Sequence, residues 1–191
     1  MRVYVAFLRG INVGGHNTIK MAALVDLVRD LGFGTVSTLL QSGNVVFTAD
    51  GSAATIAARL ESGLADRFDL SIPVVVRSAD ALRAAVDAAP FTKEQLEQPN
   101  WALVYFLAAT RGEAPADRDA TFSDRLRATH TGPETATLIG RQLYVFYPAG
   151  IGRSKLDNGR IDRLLGTIAT GRNWSTLANV LARCRETKRE H

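Results

Sequence analysis

What constrains this chain most is the order in which two kinds of apolar pattern alternate along it. Val3–Leu8 is an unbroken apolar run, as a buried strand requires, and Met21, Leu24, Val25, Val28 and Leu31 then recur at helical spacing. Val36–Leu40 and Val45–Thr48 read as strands again, joined by Gln41-Ser42-Gly43-Asn44, a turn by composition. Ile56, Leu60, Leu64 and Phe68 line one helical face behind Ser52, a helix-opening residue, and β-branched Ile72–Val76 closes the series.

The resulting order, β-α-β-β-α-β, is the split ferredoxin-like unit. In it strands 1 and 2 run parallel with strand 3 between them, so the loop after strand 1 and the turn after strand 2 share one end of the sheet. The frame recurs. Val5, Phe7 and Leu8 map onto Val104, Phe106 and Leu107, and Thr38, Leu39, Val46 and Phe47 onto Thr137, Leu138, Val145 and Phe146, always 99 residues on. The expectation is an α+β protein of two ferredoxin-like halves, with antiparallel sheets and helices packed on one face. Residues 1–88 form the first half, the two-proline stretch 89–100 a linker, and residues 101–191 the second half. A short helix through Val86 is expected to end the first half, and in the second half weak helix from Ala116 to Arg127, a hairpin around Gly140-Arg141-Gln142, and helices at 157–165 and 174–185 are expected. At the repeat position of the first loop, Ala109–Ala116 keeps only Gly112, so the second half retains the frame without the site.

That first loop, Arg9-Gly10-Ile11-Asn12-Val13-Gly14-Gly15-His16-Asn17-Thr18-Ile19-Lys20, is where chemistry is expected. A glycine-rich passage from strand to helix brings backbone N–H groups close to a ligand and aims a helix start at it. Gly10, Asn12, Gly14, Gly15, His16 and Asn17 supply the loop, Arg9 and Lys20 positive charge, and Gln41, Ser42, Gly43 and Asn44 polar groups from the neighbouring turn. The helix should begin near Thr18, with Asn17 or Thr18 as cap. The loop is no P-loop, because His16-Asn17 stands where Lys-Ser/Thr is required, and no G-x-G-x-x-G is present. Ordinary roles compete: the glycines suit a tight turn, Ser42-Gly43 a hairpin, and His16 a solvated loop.

RGINVGGHN, LQSGNVVF at Leu40–Phe47, GIGRSKL at Gly150–Leu156 and TGRNW at Thr170–Trp174 occur in the order seen in a bacterial family, and the chain resembles domain of unknown function 1697 nearly end to end. The resemblance implies a compact bacterial α+β protein with ferredoxin-like parts. It implies no reaction, cofactor or catalytic residue.

Charge adds a second candidate region. Residues 1–140 hold 13 Lys+Arg against 15 Asp+Glu, and residues 141–191 hold 10 against 4, so the net +4 belongs to the C-terminal quarter. Arg153, Ser154 and Lys155 follow a glycine-led turn, and Arg172-Asn173-Trp174 combines a fork donor, an amide and a ring on which a base can stack. The competing reading is a solvated helix surface with a basic tail over Arg183–Arg189, Trp174 packed with Leu177 and Leu181, and Asn173 or Ser175 as a cap. One cysteine, Cys184, excludes an internal disulfide and fits a small core residue. The three histidines lie far apart without metal-ligand spacing, so neither metal nor cofactor is expected. No run approaches membrane-spanning length and Met1 leads straight into the first strand, so a cytoplasmic protein without membrane contact is expected. The function expected is binding of a phosphate-bearing partner, nucleic acid or nucleotide-like, by the loop and the basic turns together. The alternatives are a metal-free hydrolase or transferase of small phosphorylated substrates, similar to an acylphosphatase with Asn44 near the turn, and a protein-interaction module. Oligomeric state is not read from the sequence.

Overall fold

The structure is a computed structural model that describes residues 1–108, Phe122 and residues 124–189. Its first sheet is built on β1 (Arg2–Leu8), whose side chains after Arg2 are all buried, as an apolar run without alternation requires. β1 pairs antiparallel with β3 (Asn44–Ala49) on one side and β4 (Val74–Ser78) on the other, and β2 (Gly34–Leu39) pairs with β3 at the edge. The order β2-β3-β1-β4 is the ferredoxin-like one. α1 (Met21–Asp30) and α2 (Ala53–Phe68) lay Leu24, Leu27, Val28, Ile56, Leu60 and Leu64 against Tyr4, Ala6, Leu8, Val45, Phe47 and Val76.

Both helices stop where local chemistry says they should. After α1, Gly32 at φ 78° donates to the Arg29 carbonyl and Phe33 N–H reaches back to Val28. α2 opens on Ser52, whose hydroxyl accepts from Thr55 N–H at 3.1 Å, and closes on Asp69 at φ 54°. Among the boundaries that differ from the sequence expectation, two bear on the loop. α1 begins at Met21 and not near Thr18, because Asn17 is held at φ 49° with its side chain turned back to Gly10. Asn44 opens β3 rather than ending the turn, since it pairs with Leu39 and Phe7 in the two ladders.

The second sheet repeats the first. β5 (Ala102–Leu107) is central between β7 (Gln142–Phe146) and β8 (Ala169–Asn173), with β6 (Thr135–Ile139) at the edge, giving β6-β7-β5-β8. Phe122 and residues 124–129 are helical; the rest of the helix expected from Ala116, and the segment Ala109–Ala116, lie outside the described residues. α3 (Ala79–Asp87) follows β4, with Ser78 accepting from Ala81 N–H. Within the expected linker, Thr92 and Gln95 form a capping box around the short α4 (Lys93–Leu96). α5 (Asn158–Leu165) starts on Asp157, and α6 (Trp174–Arg189) carries the basic terminal residues in regular helix. By compactness the chain groups as Met1–Ala84 with Ala178–His191, and as Ala85–Leu177.

The repeat extends to register. Thr38↔Val45 and Leu39↔Asn44 in the first hairpin become Thr137↔Tyr144 and Leu138↔Leu143 in the second, each 99 residues on. The central ladders differ by one residue: Val5 faces Val46, whereas Val104 faces Tyr144 and not Val145. In the fourth strands Arg77 lies opposite Val5 and Arg172 opposite Val104. Both arginines are buried, and each donates from Nη1 to the preceding residue's carbonyl, at 2.9 and 2.8 Å. Two separately chosen surface arginines would have no reason to share both a register position and a hydrogen bond.

Candidate functional site

The loop after β1 folds into a small hairpin of its own. His16 N–H donates to the Val13 carbonyl at 3.0 Å and Asn12 N–H to Asn17 at 3.2 Å. Gly14 and Gly15, at φ 59° and 79°, form the two-residue tip, where both positions need the left-handed region. The side chains of Asn12 and Asn17 hold this hairpin in place. Asn12 Nδ2 donates to the carbonyls of Ile19 and Gln41, at 3.0 and 2.9 Å, and Asn12 Oδ1 accepts from Ile19 N–H at 2.8 Å. Asn17 Nδ2 donates to the Gly10 carbonyl at 3.1 Å. Ile11 and Ile19 are buried anchors, while residues 13–18 and Lys20 stay exposed, Val13 at 64%.

The β2–β3 turn lies against the same loop, as the split topology requires. Leu8 N–H donates to the Gly43 carbonyl at 2.8 Å, and a Cβ on Gly43 would stand 2.8 Å from atoms of both Leu8 and Ile11. Arg9, Gly10, Asn12, Gly14, Gly15, His16, Asn17, Lys20, Gln41, Ser42, Gly43 and Asn44 thus share one end of the first sheet. They do not share a role. Asn44 is fully buried, its Nδ2 donating to the Leu39 carbonyl and Ser42 Oγ at 3.1 and 3.0 Å, so both residues brace the turn. Exposed at this end are the glycine tip, His16, Lys20 and Leu40, the last at φ 60° and 59% exposed.

The start of α1 completes the arrangement. Its N-cap, Lys20, makes no side-chain cap, and the first turn holds no acidic residue. α2, α3, α4 and α5 begin on side-chain oxygens of Ser52, Ser78, Thr92 and Asp157, and α6 on Asn173 Oδ1, which accepts from Thr176 N–H at 2.9 Å. The N-cap of α1 thus leaves its first N–H groups without a side-chain oxygen of its own, and a lysine stands beside them.

The C-terminal motifs resolve mostly into packing. Gly171 has no room for a Cβ, which would meet the Tyr105 ring at 2.6 Å. Arg172 is buried, not a surface residue, and burial holds its guanidinium down to about 10, still charged at neutral pH. Asn173 caps α6 and donates to Asn100 Oδ1 at 3.2 Å. Trp174 is half-buried and meets Phe91 edge-on with centroids 5.6 Å apart, so its contact is with the expected linker. Arg153 and Lys155 are exposed.

Ser154 belongs to a buried set that its distance along the chain conceals. Its hydroxyl donates to Glu134 Oε1 and accepts from Leu156 N–H at 2.9 Å, while Glu134 Oε2 meets His130 Nε2 at 2.7 Å. Beside it the Tyr147 hydroxyl reaches the Leu156 carbonyl at 3.0 Å and Tyr105 at 2.8 Å, and burial raises its pKa far above the ordinary value. Burial pushes the Glu134 carboxyl up, but hydrogen bonds from Ser154, His130 and the backbone outweigh it and hold the group low. Glutamate sits between serine and histidine here, so this is a brace and not a nucleophile with its base.

Among the described residues no group of three or more His, Cys, Asp or Glu could hold a metal ion, and no helix is long and apolar enough to cross a membrane. A family model described as "Protein of unknown function (DUF1697)" matches residues 1–144. The solved structure of the conserved bacterial protein SP0830 from Streptococcus pneumoniae superposes with a TM-score of 0.72 at 21% identity, covering 96% of this chain and 98% of that one. That likeness is one of fold. Among curated proteins no sequence matches.

Proposed function

The chain belongs to the DUF1697 family of proteins of unknown function, and from that premise we propose that it is a binding module for a phosphate-bearing ligand, nucleic acid or nucleotide-like. The ligand is received where the loop 9–20 returns into α1. The observation that carries this reading is the uncapped first turn of α1 beside exposed Lys20 and His16. An anion there completes backbone donors and meets the positive end of the helix dipole, worth about 0.3–1 kcal/mol before the lysine is counted. Gly14 and Gly15 keep the tip slim enough for a bulky phosphodiester to approach.

The hydrolase alternative draws no support from Asn44, which is buried and spent on the turn. Exposed Val13 and Leu40 at the same end fit a ligand with an apolar part as well as a phosphate.

Titration of a labelled oligonucleotide across a salt series tests the reading. Gly14→Val should weaken binding with little change in salt slope, since it adds bulk without charge. Lys20→Ser should weaken it and flatten the slope by about one phosphate contact. Equal binding by both variants and the parent would refute a site at this end.

A further inference from the structure

A separate groove of about 270 Å³ opens on the first unit between α3 and the last turns of α6. Ala79, Leu181 and Cys184 give it apolar lining, and Arg83, Arg185, Lys188 and Asp80 bring charge. We propose that this groove is a binding site for a small phosphate monoester carrying an apolar body such as a single ring.

Charge comes first. Three cations face one carboxylate, a surplus of two, and a phosphate monoester at neutral pH carries about −1.5 to −2. Among the described residues none of Arg83, Arg185 and Lys188 enters an ion pair, whereas neighbouring Arg183 is held by Glu186 at 3.1 Å. Arg185 and Lys188 lie three residues apart on one helix face, and Arg83 joins them from α3, so three like charges gather with Asp80 as the one opposing charge in the lining.

Size and lining narrow the body. Sites for drug-sized ligands run to roughly 300–1,000 Å³, so a groove just below that range takes one ring and a phosphate and not a dinucleotide. Leu181 and Cys184, buried at 8% and 3% exposure, give the groove the apolar lining that a ring packs on. Cys184 is a lining group and not a nucleophile: burial pushes its thiol up to about 11 against the opposing pull of Arg83. The site is independent of the α1 start.

Calorimetric titration of the full chain carrying Lys20→Ser, which removes the phosphate site proposed at the start of α1, with phenyl phosphate tests the proposal, with inorganic phosphate and benzyl alcohol as comparison probes. Phenyl phosphate should bind saturably and at least tenfold more tightly than either. Arg185→Gln with Lys188→Gln, both at exposed positions, should lower that affinity at least tenfold with an unchanged thermal melt. Asp80→Asn should raise it. Three results would each overturn the proposal: no binding, equal binding of inorganic phosphate, or no loss in the double variant.

Discussion

Gly43 and Gly14 are both glycines at positive φ, and the surroundings separate them. A Cβ on Gly14 meets only the His16 ring edge at 4.0 Å, whereas one on Gly43 drives into Leu8 and Ile11 at 2.8 Å. Gly43→Ala therefore combines left-handed strain with overpacking and should cost about 2–4 kcal/mol, read from chemical denaturation. A cost below about 1 kcal/mol would mean the turn relaxes away from the loop. Glu134 supports a pH prediction. Its folded pKa is depressed, so the stability it brings is complete above the ordinary carboxylate value of 4.5 and fades as pH falls through the lower folded value. Thermal melts between pH 6 and 2 should show Glu134→Gln losing less stability on acidification than the parent. Parallel curves would remove Glu134 as the acid-sensitive brace. No reading of local sequence could place Ser154 here, because its acceptor Glu134, itself held by His130, lies 20 residues away and serine after a glycine turn looks like an anion ligand.

At the scale of elements, patterning was legible wherever one physical signal dominated. Val3–Leu8 could only be a strand buried on both faces, and Ser52 and Asp157 mark helix starts by their side-chain oxygens. The start of α1 was misplaced because Asn17 and Thr18 have capping chemistry but turn it inward, to Gly10 and Gly15. The same diversion leaves Lys20 at the N-cap, which makes stability and function opposed there. Lys20→Ser supplies the missing cap and should raise stability by about 1 kcal/mol in denaturant unfolding. A destabilised Lys20→Ser would show that the lysine is held by packing and not retained for a ligand. TGRNW was legible as a motif but not as a structural one. Buried arginine runs against the usual partition, and only the neighbouring strand shows that Gly171 makes room for Tyr105.

For the whole molecule, the 99-residue repeat was readable because strand composition and hairpin register both survived in it, from Thr38↔Val45 to Thr137↔Tyr144. The equivalence of Arg77 and Arg172 was not, because the fourth strands repeat 95 residues apart (172 − 77) and not 99. Nor was the grouping of residues 178–189 with the first unit, from which the whole second half separates them in sequence. It follows that residues 1–88 alone lack Val180, Leu181 and Cys184, all buried in the full chain. A 1–88 fragment should show a broad, weakly cooperative melt and aggregate in size-exclusion chromatography. A sharp two-state melt would contradict that dependence.

The central claim is that phosphate is received at the start of α1, and amide chemical-shift mapping during a titration with inorganic phosphate tests it most directly. The account predicts saturable shifts confined to residues 14–24, centred on the first N–H groups of α1 and abolished in Lys20→Ser. Shifts absent from that segment, or unchanged in the variant, would contradict it.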